Sequence, residues 1–219
     1  MPAPKLAADF RPRIERLLSA FDRDVESEAG RLLVQRGVAF AELVAAWNER
    51  IDLTAARDPD ELVDLLLADA AAILRDRPPS SDERWLDVGS GVGAPGVALA
   101  LLDPNLKMTL VEPRAKRVAF LRTLLHRLDR PDILVDRSRS EALGDGSCEV
   151  AVSRATLPPA DWLREGGRLA KREVWVLLAR GEPPDEPGWV MARPVEFLWP
   201  LTAKERRVVC YRREGISHS

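Results

Sequence analysis

Trp85-Leu86-Asp87-Val88-Gly89-Ser90-Gly91-Val92-Gly93-Ala94-Pro95-Gly96 decides how this chain folds. Residues 85–88 are short and apolar around a single acid, and read as the end of a buried strand. The strand is entered from the turn-rich run Pro78-Pro79-Ser80-Ser81-Asp82. Four glycines follow within eight residues, and Val97-Ala98-Leu99-Ala100-Leu101-Leu102 then opens a buried helix. Strand, glycine loop and helix together make a nucleotide-binding turn. The glycines let backbone approach a ligand and adopt positive φ, and the helix start offers unpaired N–H groups to polar or anionic atoms.

Two ligands compete for that loop. Gly91-x-Gly93-x-x-Gly96 matches the dinucleotide fingerprint. Asp87 argues against a diphosphate, because a carboxylate at the strand mouth repels it with little screening at short range. The same carboxylate suits a ligand carrying a cation, such as the amino-acid end of S-adenosyl-L-methionine. The pattern apolar-apolar-Asp-apolar-Gly-x-Gly-x-Gly resembles motif I of the class I methyltransferases, which use that donor. A tight turn that binds nothing is the bland alternative, since a lone glycine fingerprint often arises by chance.

At 219 residues, the chain suits one α/β domain with an N-terminal extension. The net charge of −2 excludes a general coat for polyanions but leaves room for a local basic face. Cys148 and Cys210 stand alone without a joining motif, which fits a reducing compartment and argues against a zinc site or a disulfide framework. No apolar run reaches the roughly 18 residues of a membrane span, and the N-terminus lacks a signal-peptide core. A cytoplasmic protein without membrane or metal is expected, and nothing demands an oligomer, so a monomer is expected as well.

The N-terminal third reads as helical. Residues 1–9 look like a loose leader. Residues 11–21 place Ile14, Leu17, Leu18 and Phe21 on one face. A second helical region spans 26–47, with a break near Gly37, and a third starts at Pro59 and runs to about Leu74. The loop between them, 47–59, reads as a connection with Trp47 as anchor and Asn48 as cap, in preference to a ligand rim. From Arg84, strands at 85–88, 107–112, 133–136, 149–153 and 174–179 alternate with helices at 96–102, 115–128, 140–143 and 160–170. That order predicts a mostly parallel Rossmann-like sheet. Residues 188–194 and 206–212 suit an antiparallel edge pair. Residues 1–80 are thus expected as a helical extension packed on the core, and 81–219 as the cofactor-binding domain, one compact unit.

Glu112 ends the second strand about twenty residues past the loop, where an acid binds ribose hydroxyls; capping the next helix is the alternative role. Arg114, Lys116, Arg117, Arg122, Arg127 and Arg130 make one helix and its flanks basic, followed by Arg137 and Arg139. A second basic run holds Lys204, Arg206, Arg207, Arg212 and Arg213. Either run reads equally as a solvated face or as phosphate contacts to RNA. Arg154 and Arg180 close the fourth and fifth strands, whose carboxyl ends face the ligand crevice of an open sheet. They could hold a phosphate or a base edge, or be neutralised by Asp58, Asp69 or Glu182.

Further motifs carry a resemblance over residues 47–212. They are Trp47-Asn48, Leu53-Thr54-Ala55-x-Arg57-Asp58-Pro59, the glycine loop with its Pro95-Gly96 ending and Lys116-Arg117-x-x-Phe120-Leu121-Arg122. Arg139-x-Glu141, Ser153-Arg154-Ala155 and Glu205-Arg206 complete the set. With these, the chain resembles the bacterial 16S ribosomal RNA guanine-N7 methyltransferases, the RsmG or GidB family. The resemblance implies S-adenosyl-L-methionine over Asp87, Gly89, Ser90, Gly91 and Gly93, with Glu112 on the ribose and Ser140 and Glu141 lining the adenine. It places Arg139 and Arg154 at the pocket, and a basic surface of Lys116, Arg117, Arg122, Arg139, Arg206 and Arg207 against 16S RNA or the 30S particle. The family's usual Arg-His-x-x-Asp-Ser reads Leu65-Leu66-Leu67-Ala68-Asp69-Ala70 here, keeping only the acid, and its fifth-strand Lys is Arg180. Guanine N7 carries a lone pair and no proton, so methyl transfer needs placement and no general base. Asp69, Arg154 and Arg180 are the expected orienting groups.

Overall fold

The computed structural model describes residues 6, 8–75 and 83–215. Its core is a seven-stranded sheet of order β3-β2-β1-β4-β5-β7-β6. The parallel strands are β1 (Arg84–Val88), β2 (Lys107–Val111), β3 (Leu134–Asp136), β4 (Cys148–Ser153) and β5 (Ala170–Leu178). The last two, β6 (Trp189–Leu198) and β7 (Glu205–Arg213), form an antiparallel hairpin that joins β5 through β7. The expected edge pair is present, and β6 is four residues longer at its end than the sequence pattern suggested.

The inner parallel strands β1, β2, β4 and β5 are buried on both faces, which is why they read as continuous apolar runs, while β3 at the sheet edge leaves Leu134 exposed. Trp85, Leu110, Val150, Val152 and Trp175 point into one core with the helices α1 (Arg11–Ala20), α2 (Glu28–Asn48), α3 (Pro59–Arg75), α4 (Gly96–Leu102) and α5 (Ala115–Arg127). Leu86, Val88, Val111, Ala151, Val174 and Val176 point the other way, onto α6 (Pro159–Leu169). The N-terminal helices therefore pack on the sheet's helical layer, with α2 and α3 against α4, and α3 reaching the β6–β7 hairpin.

One expectation is corrected. Helix α2 runs unbroken through Gly37. A Cβ there would stand 3.2 Å from Ile14 Cγ2, so the glycine permits close packing of α1 on α2 and breaks nothing. Of the leader expected over 1–9, Leu6 is buried in the core at 2% exposure. Residues 1–5 and 7, the turn-rich run 78–82 and the expected boundary at residues 80 and 81 lie outside the described residues. No helix among the described residues is long and apolar enough to cross a membrane.

Trp47 of α2 meets Phe120 of α5 edge-to-face, with ring centroids 5.5 Å apart. Phe120 is fully buried. Phe120→Ala is expected to lower stability by about 3–5 kcal/mol, read as a reduced urea midpoint, with α2 loosened from the sheet domain.

Candidate active site

The strand order reverses between β1 and β4, the place where open parallel sheets bind ligands at their carboxyl ends. The two strand ends are stapled together. Ser153 Oγ donates to the Val88 carbonyl at 2.7 Å, and Thr156 Oγ1 donates to the same oxygen at 3.1 Å. Gly89, at φ +71°, lies so close beneath this segment that a Cβ on it would stand 2.2 Å from Thr156 Oγ1. Only glycine fits there, both for conformation and for space.

Asp87 is 1% exposed. Its Oδ2 accepts the Gly96 N–H at 3.0 Å and so ties the end of β1 to the first residue of α4. Its Oδ1 is buried with no hydrogen-bond partner. Burial pushes the carboxyl up to about 7, against the Gly96 hydrogen bond and the charge of Arg154. Asp87 therefore sits deeper than the strand mouth at which the sequence placed it, and is poised between its charged and neutral forms near neutral pH. Gly96 makes this possible, because a Cβ there would lie 2.5 Å from Asp87 Oδ2.

Glu112, 2% exposed, follows β2. Its Oε2 accepts the Gly91 N–H at 3.0 Å and its Oε1 accepts the Arg114 N–H at 2.9 Å, so it serves the glycine loop and the entry to α5 at once. An ionised carboxylate has about four acceptor positions, which leaves capacity for a diol. Ser140–Ala142 form a 3₁₀ turn held to α6 by Arg168, which donates to the carbonyls of Ser140 at 2.9 Å and Leu143 at 2.8 Å. Ser140 is half-buried and Glu141 exposed. A buried acceptor without a donor, a second carboxylate with free lone pairs and a glycine platform fit a ligand with a cationic amino-acid end and a ribose.

A cavity of about 420 Å³ opens at the carboxyl ends of β4 and β5. Leu65, Leu157, Trp162 and Trp199 give it apolar walls, and Asp69, Arg154, Arg180 and Arg206 its charges. The three expected orienting residues thus meet in one place. Arg154 pairs with Asp69 at 3.5 Å and donates to the Leu65 carbonyl, so the neutralising partner considered from sequence and the pocket role coincide. Asp69 Oδ1 also accepts the Trp199 indole N–H at 2.9 Å. Trp199 and Thr156 escaped the sequence reading; the only hint was an aromatic before Pro200 in the turn ahead of a basic run. Leu65 lines the cavity, while Leu66 points into the core.

The basic residues sort by their partners. Lys116, Arg122, Arg139 and Arg180 are exposed, and Arg206 lies 3.8 Å over the Trp199 ring. Arg117 turns toward the glycine loop, 3.6 Å from a Cβ placed on Gly91, and donates to the Asp52 carbonyl at 3.4 Å. Others are structural. Arg130 is buried on Asp132 and the Ala100 carbonyl, Arg212 pairs with Glu173, and Lys204 pairs with Glu61. Arg207, expected on RNA, is held by Glu182 at 3.4 Å and Glu196 at 2.5 Å, which cancels its charge toward a phosphate. Asn48 accepts the N–H groups of Leu53 and Thr54, and Asp58 caps α3 through the Glu61 N–H at 2.8 Å, so the 47–59 loop is a braced connection.

The raised Asp87 pKa carries a sign. A carboxyl whose folded value exceeds its ordinary 3.8 stabilises the fold most at low pH and loses that contribution as pH rises to about 7. Above that pH the ionised carboxyl has cost the fold about 4 kcal/mol relative to the unfolded chain. A cationic ligand favours the ionised form, so S-adenosyl-L-methionine is expected to bind more tightly from pH 6 to 8 in calorimetry. Asp87→Asn is expected to flatten both the stability slope and the affinity slope.

A family model described as GidB, rRNA small subunit methyltransferase G, matches residues 34–187. The Ribosomal RNA small subunit methyltransferase G of Xylella fastidiosa is 34% identical over 193 residues, 85% of this chain and 90% of its own. Its namesake from Xanthomonas oryzae pv. oryzae is 32% identical over 215 residues, 95% of this chain and 97% of its own. Among solved structures, the putative methyltransferase yhhF from Escherichia coli aligns with a TM-score of 0.51 at 21% identity, covering 67% of this chain and 86% of that one. A SAM dependent methyltransferase from Aquifex aeolicus aligns at 0.51 with 17% identity, covering 69% and 92%. These two establish the Rossmann-like class I fold. With a family match over most of its length, the chain belongs to the GidB family, rRNA small subunit methyltransferase G, and is a methyltransferase that uses S-adenosyl-L-methionine.

Proposed function

We propose that this protein methylates N7 of a guanine in 16S ribosomal RNA, naked or within the 30S particle, as a cytoplasmic monomer without a metal. The observation that carries the reading is the cavity beside the glycine loop. It has apolar walls in Leu65, Leu157, Trp162 and Trp199, an acceptor group in Asp69 and donor groups in Arg154 and Arg180. Guanine presents matching donors on its N1 and N2 and acceptors on its O6 and N7. A base of the stack cannot reach such a recess, so the target nucleotide enters it unstacked.

The bound cofactor supplies an electrophilic methyl on a sulfonium. Asp87 holds the cationic end of the donor, Glu112 its ribose, and Gly89, Ser90, Gly91 and Gly93 the backbone platform. Ser140 and Glu141 would border the adenine side, and Arg154 lines the cavity that would take the base. N7 is unprotonated, so no residue removes a proton; Asp69, Arg154 and Arg180 orient the ring, and apolar walls exclude water. The methylated base is cationic, and the Asp69 carboxylate stabilises that developing charge. Lys116, Arg117, Arg122, Arg139 and Arg206 supply phosphate contacts, with Arg207 withdrawn by its two glutamates.

Labelled methyl transfer onto 16S RNA lacking the modification, naked and in 30S particles, tests the assignment. The label is expected on guanine N7, and transfer only to small molecules would overturn it. Asp69→Ala is expected to lower turnover by about 10²-fold. Full turnover in that variant on intact RNA would remove Asp69 from the mechanism.

A further inference from the structure

Helix α3 grips one turn of the β6–β7 hairpin with three acids. Glu61 pairs with Lys204 after the turn, and Asp69 accepts the Trp199 indole N–H before it. Between them Asp64 accepts the Leu201 N–H at 3.2 Å, the Thr202 N–H at 2.9 Å and the Thr202 hydroxyl at 2.8 Å. The turn is closed on itself as well, with Trp199 N–H donating to the Lys204 carbonyl at 2.9 Å and Ala203 N–H to the Trp199 carbonyl at 2.8 Å.

Asp64 is the unexpected member of this set. It is fully buried, its hydrogen-bond partners all belong to this turn, and no cation pairs with it among the described residues. Burial pushes its carboxyl up, opposed by those hydrogen bonds, and Asp60 adds to the rise. A buried acid without a cation is costly, and the hydrogen bonds it accepts from the turn offset that cost. Leu201 and Thr202 are only half-buried, so their N–H groups could turn to water. What the acid does is fix the turn against α3, within three residues of Trp199. Trp199 forms a wall of the cavity, and the Arg206 guanidinium stacks 3.8 Å above its ring. Asp64 itself lines no part of that cavity.

We infer that Asp64 is a positioning residue for the RNA substrate, acting through the 199–202 turn to hold Trp199 and Arg206 as the outer wall of the base cavity. The inference rests on the reading of that cavity as the site of the target base. It separates substrate from cofactor, because the turn touches the hairpin side of the cavity, whereas the glycine loop lies at the end of β1.

The test uses the full chain with Asp64→Ala, Asp64→Asn and Thr202→Val, each also made with Trp199→Phe so that Trp199 emission is obtained by difference. Asp64→Ala is expected to raise KM for RNA about tenfold, shift Trp199 emission to the red and leave the dissociation constant of S-adenosyl-L-methionine within about twofold. Asp64→Asn keeps an acceptor for the turn and is expected to hold KM within about threefold of the wild type. Thr202→Val, which loses one hydrogen bond, should fall between. If Asp64→Ala does not fold, Thr202→Val decides, with a raised KM and a red shift supporting the inference and neither overturning it. Wild-type KM and emission in Asp64→Ala would overturn it, and so would donor affinity falling in step with KM. Should the wild type transfer no methyl to RNA, a red shift with intact donor binding would retain the tether and sink the RNA assignment. No shift would sink the tether.

Discussion

A single buried contact organises this molecule: the Asp87 carboxyl on the Gly96 N–H, 3.0 Å apart in the floor of the sheet. It fixes where β1 ends and α4 begins, and forces the chain between them to cross as a glycine loop. Because β1 is central, its end faces the end of β4 across the reversal of strand order. The Ser153 and Thr156 hydroxyls on the Val88 carbonyl then draw the loop and the β4 end into one surface. The glycine loop and the cavity are adjacent because two hydroxyls from the β4 end meet on one carbonyl at the end of β1.

The N-terminal helices do more than cover this sheet. Helix α3 contributes Leu65 and Asp69 to the cavity wall and receives the Arg154 guanidinium, so a residue closing β4 is held by one far upstream. The β6–β7 hairpin supplies the opposite wall through Trp199 and Arg206. The cavity is therefore built from the N-terminal extension, the central strands and the C-terminal hairpin together. Chemistry that relies on placement and not on proton transfer depends on such mutual bracing.

Much of this was legible in the sequence. Near-continuous burial across β1, β2, β4 and β5 follows from apolar runs framed by turns, and α4 begins and ends where the glycine loop and Asp103 dictate. The cavity residues Arg154 and Arg180 could be placed because strand ends face the crevice in any open parallel sheet. What was hidden is partnership over distance. Asp69 and Trp199 are 130 residues apart, and no local pattern joins them. Arg207 and Arg130 look like phosphate ligands in a basic run, yet Glu196 of β6 holds Arg207, and the Ala100 carbonyl of α4 with the neighbouring Asp132 holds Arg130. Gly37 reads as a helix breaker because its contact, Ile14, lies on another helix.

On the proposed function, the glycine bend beside Asp87 receives a cationic methyl donor. A crystal structure of the protein with S-adenosyl-L-homocysteine measures this most directly. The ligand's ammonium group is expected within hydrogen-bond reach of Asp87 Oδ1, directly or through one water, and its ribose on Glu112. A ligand seated elsewhere, or a bend filled by the protein's own side chains at saturating ligand, would contradict it.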